Sequence, residues 1–328
     1  MLIVIHRPGR DHEPIRLDLR GGTNATFSPS YDYMEQVLLP NFQWLGLPRT
    51  TIHLKKRGWS TGPADMGEVI AYIYPDSNQP NVSSSTNEEN EHRRAVIFPS
   101  IDLSQYNRGK VTSIDITILA PDDPVNYTNE QVIPIRQYIQ QETNRLLRYR
   151  LRELPSSVFK VDYTKVPINV LTSERTTHRT HIYLLLVAHT TTGFRLARDA
   201  LLGEGNKGTG KSTRPNRGPG NNDNREKQKT SARNLVERCV KSFMEELFDP
   251  KSEDSFPSDA DRTLTKRRPC VDVYCRDQVV LFEALGRQMK GSSYASSPDR
   301  QLEDERYWSL HTRTAMWVCE QMLSKRKP

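Results

Sequence analysis

Hydrophobic and polar residues follow one another along the chain in blocks that predict both strands and helices. Apolar residues at helical spacing indicate helices at 31–46, 127–152 and 230–248, and two further helices after residues 272 and 311. Because strand-like and helix-like blocks succeed one another, the pattern predicts an α/β or α+β fold with helices on one face of a sheet. The predicted strands cover residues 15–20, 50–56, 67–74, 95–99, 110–119, 158–163 and 181–188.

Three polar segments interrupt these blocks. Residues 76–94, DSNQPNVSSSTNEENEHRR, are of low complexity and predict a disordered loop. Residues 203–230 are rich in glycine, asparagine, proline and lysine, which favours a flexible basic loop. Residues 249–268 indicate a charged linker. We therefore expect the ordered part of the protein to be shorter than the chain.

Composition narrows the class of protein. The 328 residues carry a formal net charge of +7 and a pI near 9.2, which favours a polyanionic partner; the alternative is a basic surface concentrated in loops. The four cysteines show no paired CxxC spacing and indicate reduced thiols rather than a disulfide framework or a zinc site. Since no apolar run approaches the ~20 residues that a membrane span needs, we expect no membrane partner.

One histidine stands out in the C-terminal run YWSLHTRTAMWVCEQML. Ser309 and Thr312 flank His311, and apolar residues at helical spacing follow it. This places the imidazole at or just before a helix N-terminus, where free N–H groups and the helix dipole favour an anion such as phosphate. A histidine that faces a bound triphosphate can act as a nucleophile, because neutral imidazole has a free lone pair near pH 7. The alternative is a surface helix capped by Ser309 or Thr312, with a solvated histidine.

A second run, PCVDVYCRDQVVLFEAL, precedes the first by about thirty residues. Asp272, Tyr274, Asp277 and Gln278 fall at the start of its predicted apolar helix. An aromatic ring, a carboxylate and an amide in that position can bind a base, a ribose or a metal ion. The two runs together therefore predict a nucleotide site.

Several segments resemble the RNA 3′-terminal phosphate cyclases, and they occur in the order found in that family. The C-terminal runs VDVYCRDQVVLFEAL and SLHTRTAMWVCEQM are similar to the family's C-terminal signature, and LDLRGGTNATFSPSYDYMEQVLLPNFQWLG at 17–46 is similar to its GGTNA–Pro–Asp-Tyr segment. Weaker matches are KKRGWSTGPADMGEVIAYI at 55–73 and NRGKVTSIDITIL at 107–119. His311 matches the family histidine that takes up AMP, which the related ribosome-biogenesis branch lacks. The resemblance therefore points to the catalytic branch.

The resemblance implies a fold of repeated βαβ-type units with a smaller inserted α/β domain. Residues 1–125 would hold part of the cyclase core, namely the end of the second unit and the third unit. Residues 126–248 would form the inserted domain, and 269–328 would close the catalytic unit. The family's N-terminal glycine-rich segment has no counterpart in this sequence. We therefore expect an incomplete version of the family fold, with weak or no activity on its own.

The resemblance also implies an activity, the ATP-dependent conversion of an RNA 3′-phosphate to a 2′,3′-cyclic phosphate. His311 would carry AMP, and Mg²⁺ or Mn²⁺ would assist, with Asp277 as the candidate either to bind the metal or to orient His311. Tyr274 would pack against the nucleotide and Gln278 would contact phosphate, while the adenosine side would be lined by Pro29 and Asp32. Two alternatives remain open: a non-catalytic cyclase-like protein that binds RNA or assists ribosome biogenesis, and a truncated, inactive paralogue.

Three other features have simpler explanations. GNKGTGKS at 205–212 fits the P-loop pattern, but the following TRPNRGPGNN cannot continue as a helix, so a flexible basic loop is favoured. His181 and His189 flank the predicted strand IYLLLVA and should lie at its opposite ends, so that they and His178 share no metal. The basic runs KRRP at 266–269 and SKRKP at 324–328 suggest a nuclear location; the alternative is ordinary solvated charge and a cytoplasmic location.

Replacing Lys211 with alanine tests the P-loop alternative. If 205–212 is only a loop, the affinity for ATP should change by less than about twofold, which corresponds to under ~0.5 kcal/mol. Isothermal titration of ATP into both proteins measures this. A loss of affinity of about tenfold or more would show that the loop does hold phosphate.

Overall fold

Two four-stranded sheets organise the part of the chain that the computed structural model describes. A short hairpin, β6 (Pro124–Asn126) with β7 (Val132–Pro134), accompanies them. The mixed α/β class that the sequence predicted is confirmed. The described residues are 2–6, 13–61, 65–74, 99, 101–127, 131–203, 221–251, 267–289 and 302–323.

The first sheet is antiparallel throughout and has the strand order β1-β2-β4-β3. Helix α1 follows β2 and packs on this sheet, where Tyr31 joins Ile52 and Ala71 in a small apolar cluster. The helix runs through three consecutive segments, Tyr31–Tyr33, a π-helical Met34–Leu38, and Leu39–Trp44. The strands are β1 (Leu2–His6), β2 (Ile15–Gly21), β3 (Thr50–Lys56) and β4 (Gly67–Ile73).

The second sheet has the strand order β10-β9-β5-β8 and contains one parallel pair, β5 with β8. The connection between these two strands carries helix α2 (Ile135–Leu151), as a parallel crossover requires. The boundary predicted near residue 125 passes through this sheet, because β5 pairs with β8 and β9 on the other side of it. The strands are β5 (Val111–Ala120), β8 (Ile168–Arg175), β9 (Tyr183–Thr190) and β10 (Arg195–Leu201).

Helices cover both faces of the second sheet, whereas the sequence pattern predicted helices on one face only. On one face, α2 and α3 (Asn221–Leu247) enclose the main core together with residues such as Ile116 and Leu186. On the other face, α1 and α4 (Val273–Met289) pack around Leu185 and Val187. Burial on both faces explains why β9 is an almost continuous apolar run, since neither side of the strand meets water.

Helix α5 (Leu310–Leu323) packs against α4 at the C-terminal end of the described chain. Their contact contains a small apolar cluster that includes Val280 and Met316. Beside it lies a buried ionic group: the Arg276 guanidinium donates to Glu283 at 2.9 Å and to Glu303 at 2.8 Å. These three side chains are almost completely excluded from solvent. Charge pairing therefore holds Glu303, in the segment that leads into α5, on α4, beside the apolar contact of the two helices.

Three predicted elements differ from the structure. Residues 158–163 are not a strand; short 3₁₀ turns at Ser156–Val158 and Tyr163–Lys165 occupy this region. The predicted helix at 127–152 begins at Ile135, because Pro134 and the β6–β7 hairpin precede it. The predicted helix at 230–248 begins at Asn221, so the last ten residues of the predicted loop 203–230 are helical.

Contacts explain that early start of α3. The Asn126 amide donates to Glu226 at 3.2 Å, and the Gln228 amide donates to Asp123 at 3.0 Å. These bonds hold the first turns of α3 against the hairpin region. The predicted insertion 76–94, residues 252–266 of the predicted linker 249–268, the strand residues 95–98 and the P-loop-like run 205–212 lie outside the described residues. The assignment of segments to repeat units stays a prediction.

Within the described ranges, no helix combines the length and the apolar character needed to cross a membrane.

We predict that Arg276→Met will destabilise the protein by about 3–5 kcal/mol, because it leaves Glu283 and Glu303 buried without their cation. Chemical denaturation followed by circular dichroism measures the free energy of unfolding. The control is Arg145→Gln, which breaks the exposed pair with Glu142 and should cost under about 1 kcal/mol. Equal effects of the two substitutions would show that the buried ionic group does not support the contact between α4 and α5.

Candidate functional site

His311 lies in the first turn of α5, as the sequence predicted. The Ser309 hydroxyl caps the helix by accepting the Thr312 backbone N–H at 2.9 Å. The imidazole itself is 75% exposed, so it is open to a ligand rather than packed into the core. Exposure and position at a helix N-terminus together suit contact with an anionic group.

Asp277, one of the predicted site residues, joins α4 to the start of α5. Its Oδ1 atom accepts hydrogen bonds from the hydroxyls of Ser309, at 2.5 Å, and of Thr312. Its Oδ2 atom lies 4.0 Å from Nδ1 of His311. One carboxylate therefore holds the cap of α5 and faces the imidazole. Gln278, the next residue of α4, is exposed beside it.

Asp272 fixes the start of α4 from a fully buried position. Its Oδ1 atom accepts the backbone N–H groups of Tyr274 at 3.0 Å and Cys275 at 2.9 Å, which caps the helix. The same oxygen accepts the Tyr33 hydroxyl at 2.6 Å, and Oδ2 accepts the Ala197 N–H at 2.9 Å. Burial, and next the charge of Asp272, raise the pKa of Tyr33 well above its usual range, so the phenol stays a donor.

Tyr274 presents its ring at the surface of this region. The ring is 38% exposed and makes an edge contact with Tyr33, with ring centroids 5.8 Å apart. The Arg198 guanidinium lies over the Tyr274 ring, 4.8 Å from its centroid. An aromatic face held from two sides is suited to stacking on a planar group. The predicted contact with a nucleotide stays a prediction.

Asp32 and Pro29, the other predicted site residues, occupy the N-terminal end of α1. Asp32 is 2% exposed and accepts two hydrogen bonds from Arg57, at 2.8 and 3.1 Å. Arg57 also binds Glu174 at the end of β8, so this ion pair ties α1 to both sheets. Pro29 is half-buried, just before the Ser30 cap of α1. Their predicted role on the adenosine side stays a prediction.

The sequence analysis missed a group of arginines beside this site. Arg108, Arg198, Arg268 and Arg306 line a cavity of about 260 Å³ that reaches Trp308 and Ser309. They come from four separate segments, so no spacing in the sequence could reveal them. Only Arg108 lies in a run that the family resemblance had marked, NRGK at 107–110.

The histidines of the central strand do not form a site together. His181 precedes β9 and stacks on Trp59, with ring centroids 4.5 Å apart. His189 lies near the other end of β9, with Nε2 2.7 Å from Asp115. The expectation that the two imidazoles lie at opposite ends is confirmed. The described part of the chain contains no group of three or more His, Cys, Asp or Glu side chains that could hold a metal ion.

Comparison with known proteins agrees with the family resemblance that the sequence motifs indicated. The model of the RNA 3′-terminal phosphate cyclase family matches residues 3–327. An RNA 3′-terminal phosphate cyclase from Gloeothece citriformis is 46% identical over 55 residues, which cover 17% of this chain and 15% of that relative. The short alignment spans a small share of the relative's length, whereas the family match covers almost the whole chain. The chain belongs to the RNA 3′-terminal phosphate cyclase family.

Proposed function

We propose that this protein acts as an RNA 3′-terminal phosphate cyclase and that His311 is its nucleophile. The observation that carries the proposal is the exposed imidazole at the capped N-terminus of α5, with the Asp277 carboxylate 4.0 Å from Nδ1. In a member of this family, that arrangement supplies both a nucleophile and a carboxylate that can orient it. The substrates are ATP and an RNA that ends in a 3′-phosphate.

The first step uses the nitrogen that points away from Asp277. With the Nδ1 proton directed towards the carboxylate, Nε2 keeps its lone pair and attacks the α-phosphorus of ATP. The bond from that phosphorus to the bridging oxygen breaks, and pyrophosphate leaves. His311 then carries AMP through a P–N bond, and its positive charge is offset by Asp277.

Two further displacements complete the reaction. An oxygen of the RNA 3′-phosphate attacks the phosphorus of the bound AMP, and the His311 imidazole leaves. The neighbouring 2′-hydroxyl then attacks the RNA phosphorus, loses its proton to solvent and releases AMP. The sum is one RNA 3′-phosphate and one ATP converted to a 2′,3′-cyclic phosphate, AMP and pyrophosphate. Dividing the activation into successive displacements replaces one difficult step by easier ones.

The neighbouring residues suit a nucleotide. Tyr274 offers a half-exposed ring for stacking, and Gln278 offers an exposed amide to phosphate. Mg²⁺ or Mn²⁺ would neutralise phosphate oxygens when bound, a role that needs few protein ligands. Asp277 would be one such ligand: Oδ1 holds the two hydroxyls, while Oδ2, 4.0 Å from the imidazole, keeps a lone pair for the ion.

We predict that the chain incubated with α-labelled ATP and magnesium acquires label on His311. The label should be acid-labile, as P–N bonds to histidine are, and mass spectrometry of peptides should locate it. His311→Ala should abolish labelling, and His189→Ala is the matched control because that histidine also faces a carboxylate. Undiminished labelling of the His311 variant would refute the assignment. Absence of label from every protein would favour a non-catalytic RNA-binding role.

We also predict that Asp277→Asn slows labelling of His311 by about tenfold or more, or ~1.4 kcal/mol of activation free energy, because the charged imidazole loses its carboxylate. Asparagine keeps an oxygen for the Ser309 and Thr312 hydroxyls, so the fold should be preserved. The control is Asp115→Asn, which affects the distant pair with His189. Single-turnover labelling rates measure both variants, and equal rates for them would show that Asp277 has no part in the step.

A further inference from the structure

A cavity of about 260 Å³ lies between the N-terminal ends of α4 and α5. Val273, the first residue of α4, and Ser309, the cap of α5, both contribute to its wall. The N-terminal ends of two helices, where the helix dipole is positive, therefore contribute to this wall. Most of the charge on its wall comes from the arginine pocket, which we define as Arg108, Arg198, Arg268 and Arg306.

The charges on the wall do not balance. Among the described residues that line the cavity, four guanidinium groups accompany a single carboxylate, that of Glu246. Glu246 is 2% exposed and is contacted by Arg108, Arg198 and, at 3.6 Å, Arg268. One carboxylate shared among three mostly buried arginines leaves an excess of positive charge on the wall of the cavity. Arg306, the fourth, pairs with Asp304 at 2.6 Å near the rim.

Two of the arginines also have unused donors. Nε of Arg108 and Nη1 of Arg198 are buried and have no hydrogen-bond partner. An unsatisfied buried donor on a charged group is costly, and such groups in native proteins normally meet an acceptor. Burial, and next the charge of Arg268, lower the pKa of Arg108 well below its usual range, although the charge of Asp272 acts in the opposite direction. A guanidinium that shares its carboxylate with other arginines is stabilised by a bound anion, because the anion supplies both acceptor oxygens and negative charge.

We propose that the arginine pocket is a phosphate-binding subsite separate from His311. A phosphate group offers several acceptor oxygens to neighbouring guanidinium groups, which no single carboxylate can match. The group that binds here belongs either to the RNA backbone or to the pyrophosphate part of a nucleoside triphosphate. Both sources present the same chemistry to the pocket. The subsite ends at Ser309, two residues before His311, so a ligand can occupy both.

The test measures binding of inorganic pyrophosphate by isothermal titration to the full chain at constant ionic strength. Arg306→Gln removes an exposed pocket residue with little risk to folding, and Arg198→Gln removes a more buried one. Each should weaken pyrophosphate binding by about tenfold, since each removes charge-assisted hydrogen bonds. The matched control is Arg145→Gln, an exposed arginine paired with an acid on α2, which should bind as the unaltered protein does.

His311→Ala separates this proposal from the proposed function. The variant cannot be labelled by ATP if His311 is the nucleophile, yet it should bind pyrophosphate within about twofold of the unaltered protein. No measurable binding of pyrophosphate by the unaltered chain would overturn the subsite. Binding that both pocket variants retain in full would overturn it as well, with circular dichroism showing that the variants are folded.

A short RNA without terminal phosphates distinguishes the two sources. If this RNA displaces pyrophosphate and its own binding weakens in the Arg306 and Arg198 variants, the pocket holds a backbone phosphate. If it does not compete and ATP does, the pocket holds the triphosphate. Either result supports the subsite. If neither RNA nor ATP displaces pyrophosphate, the pocket takes an adventitious ion only, and the proposal fails.

Discussion

The site depends on one buried carboxylate, that of Asp272. A charge removed from water is tolerated only when donors surround it, and this carboxylate collects donors from three elements. Tyr33 supplies a hydroxyl from α1, Ala197 an N–H from β10, and the first turn of α4 two further N–H groups. Because the carboxylate needs all of them at once, the three elements meet in one arrangement. The start of α4, which carries Tyr274 and Asp277, is placed by that arrangement.

A second charged group fixes the position of the segment that leads into α5. Arg276, on α4, holds Glu303, and Glu303 in turn accepts the Trp308 indole N–H at 2.9 Å. Trp308 directly precedes Ser309, the residue that caps α5 and binds Asp277. Buried contacts therefore fix the backbone on which the exposed His311 lies. Such support holds a surface side chain in position without closing it to a ligand.

Local sequence patterns predicted the helices and strands whose apolar residues recur at regular spacing. Helix α5 and its cap at Ser309 follow from a hydroxyl residue placed before a helical apolar period, and β9 follows from an apolar run. Strands β8 and β10 escaped prediction because β8 lies at a sheet edge with exposed side chains and β10 carries charged residues that the tertiary structure pairs. Arg198 is an example: on β10 it meets the Tyr274 ring and the buried Glu246.

The sequence by itself determined the α/β class, the family and the placement of His311 in the first turn of a helix. These follow from local spacing and from runs of residues that stay together along the chain. Only the tertiary structure decided that Asp277 faces His311, that Asp32 pairs with Arg57, and that four arginines share one cavity. Their partners lie tens to more than a hundred residues apart along the chain. The packing of the sheets and helices decides which charged side chains contact one another. The spacing of residues along the chain does not specify that packing.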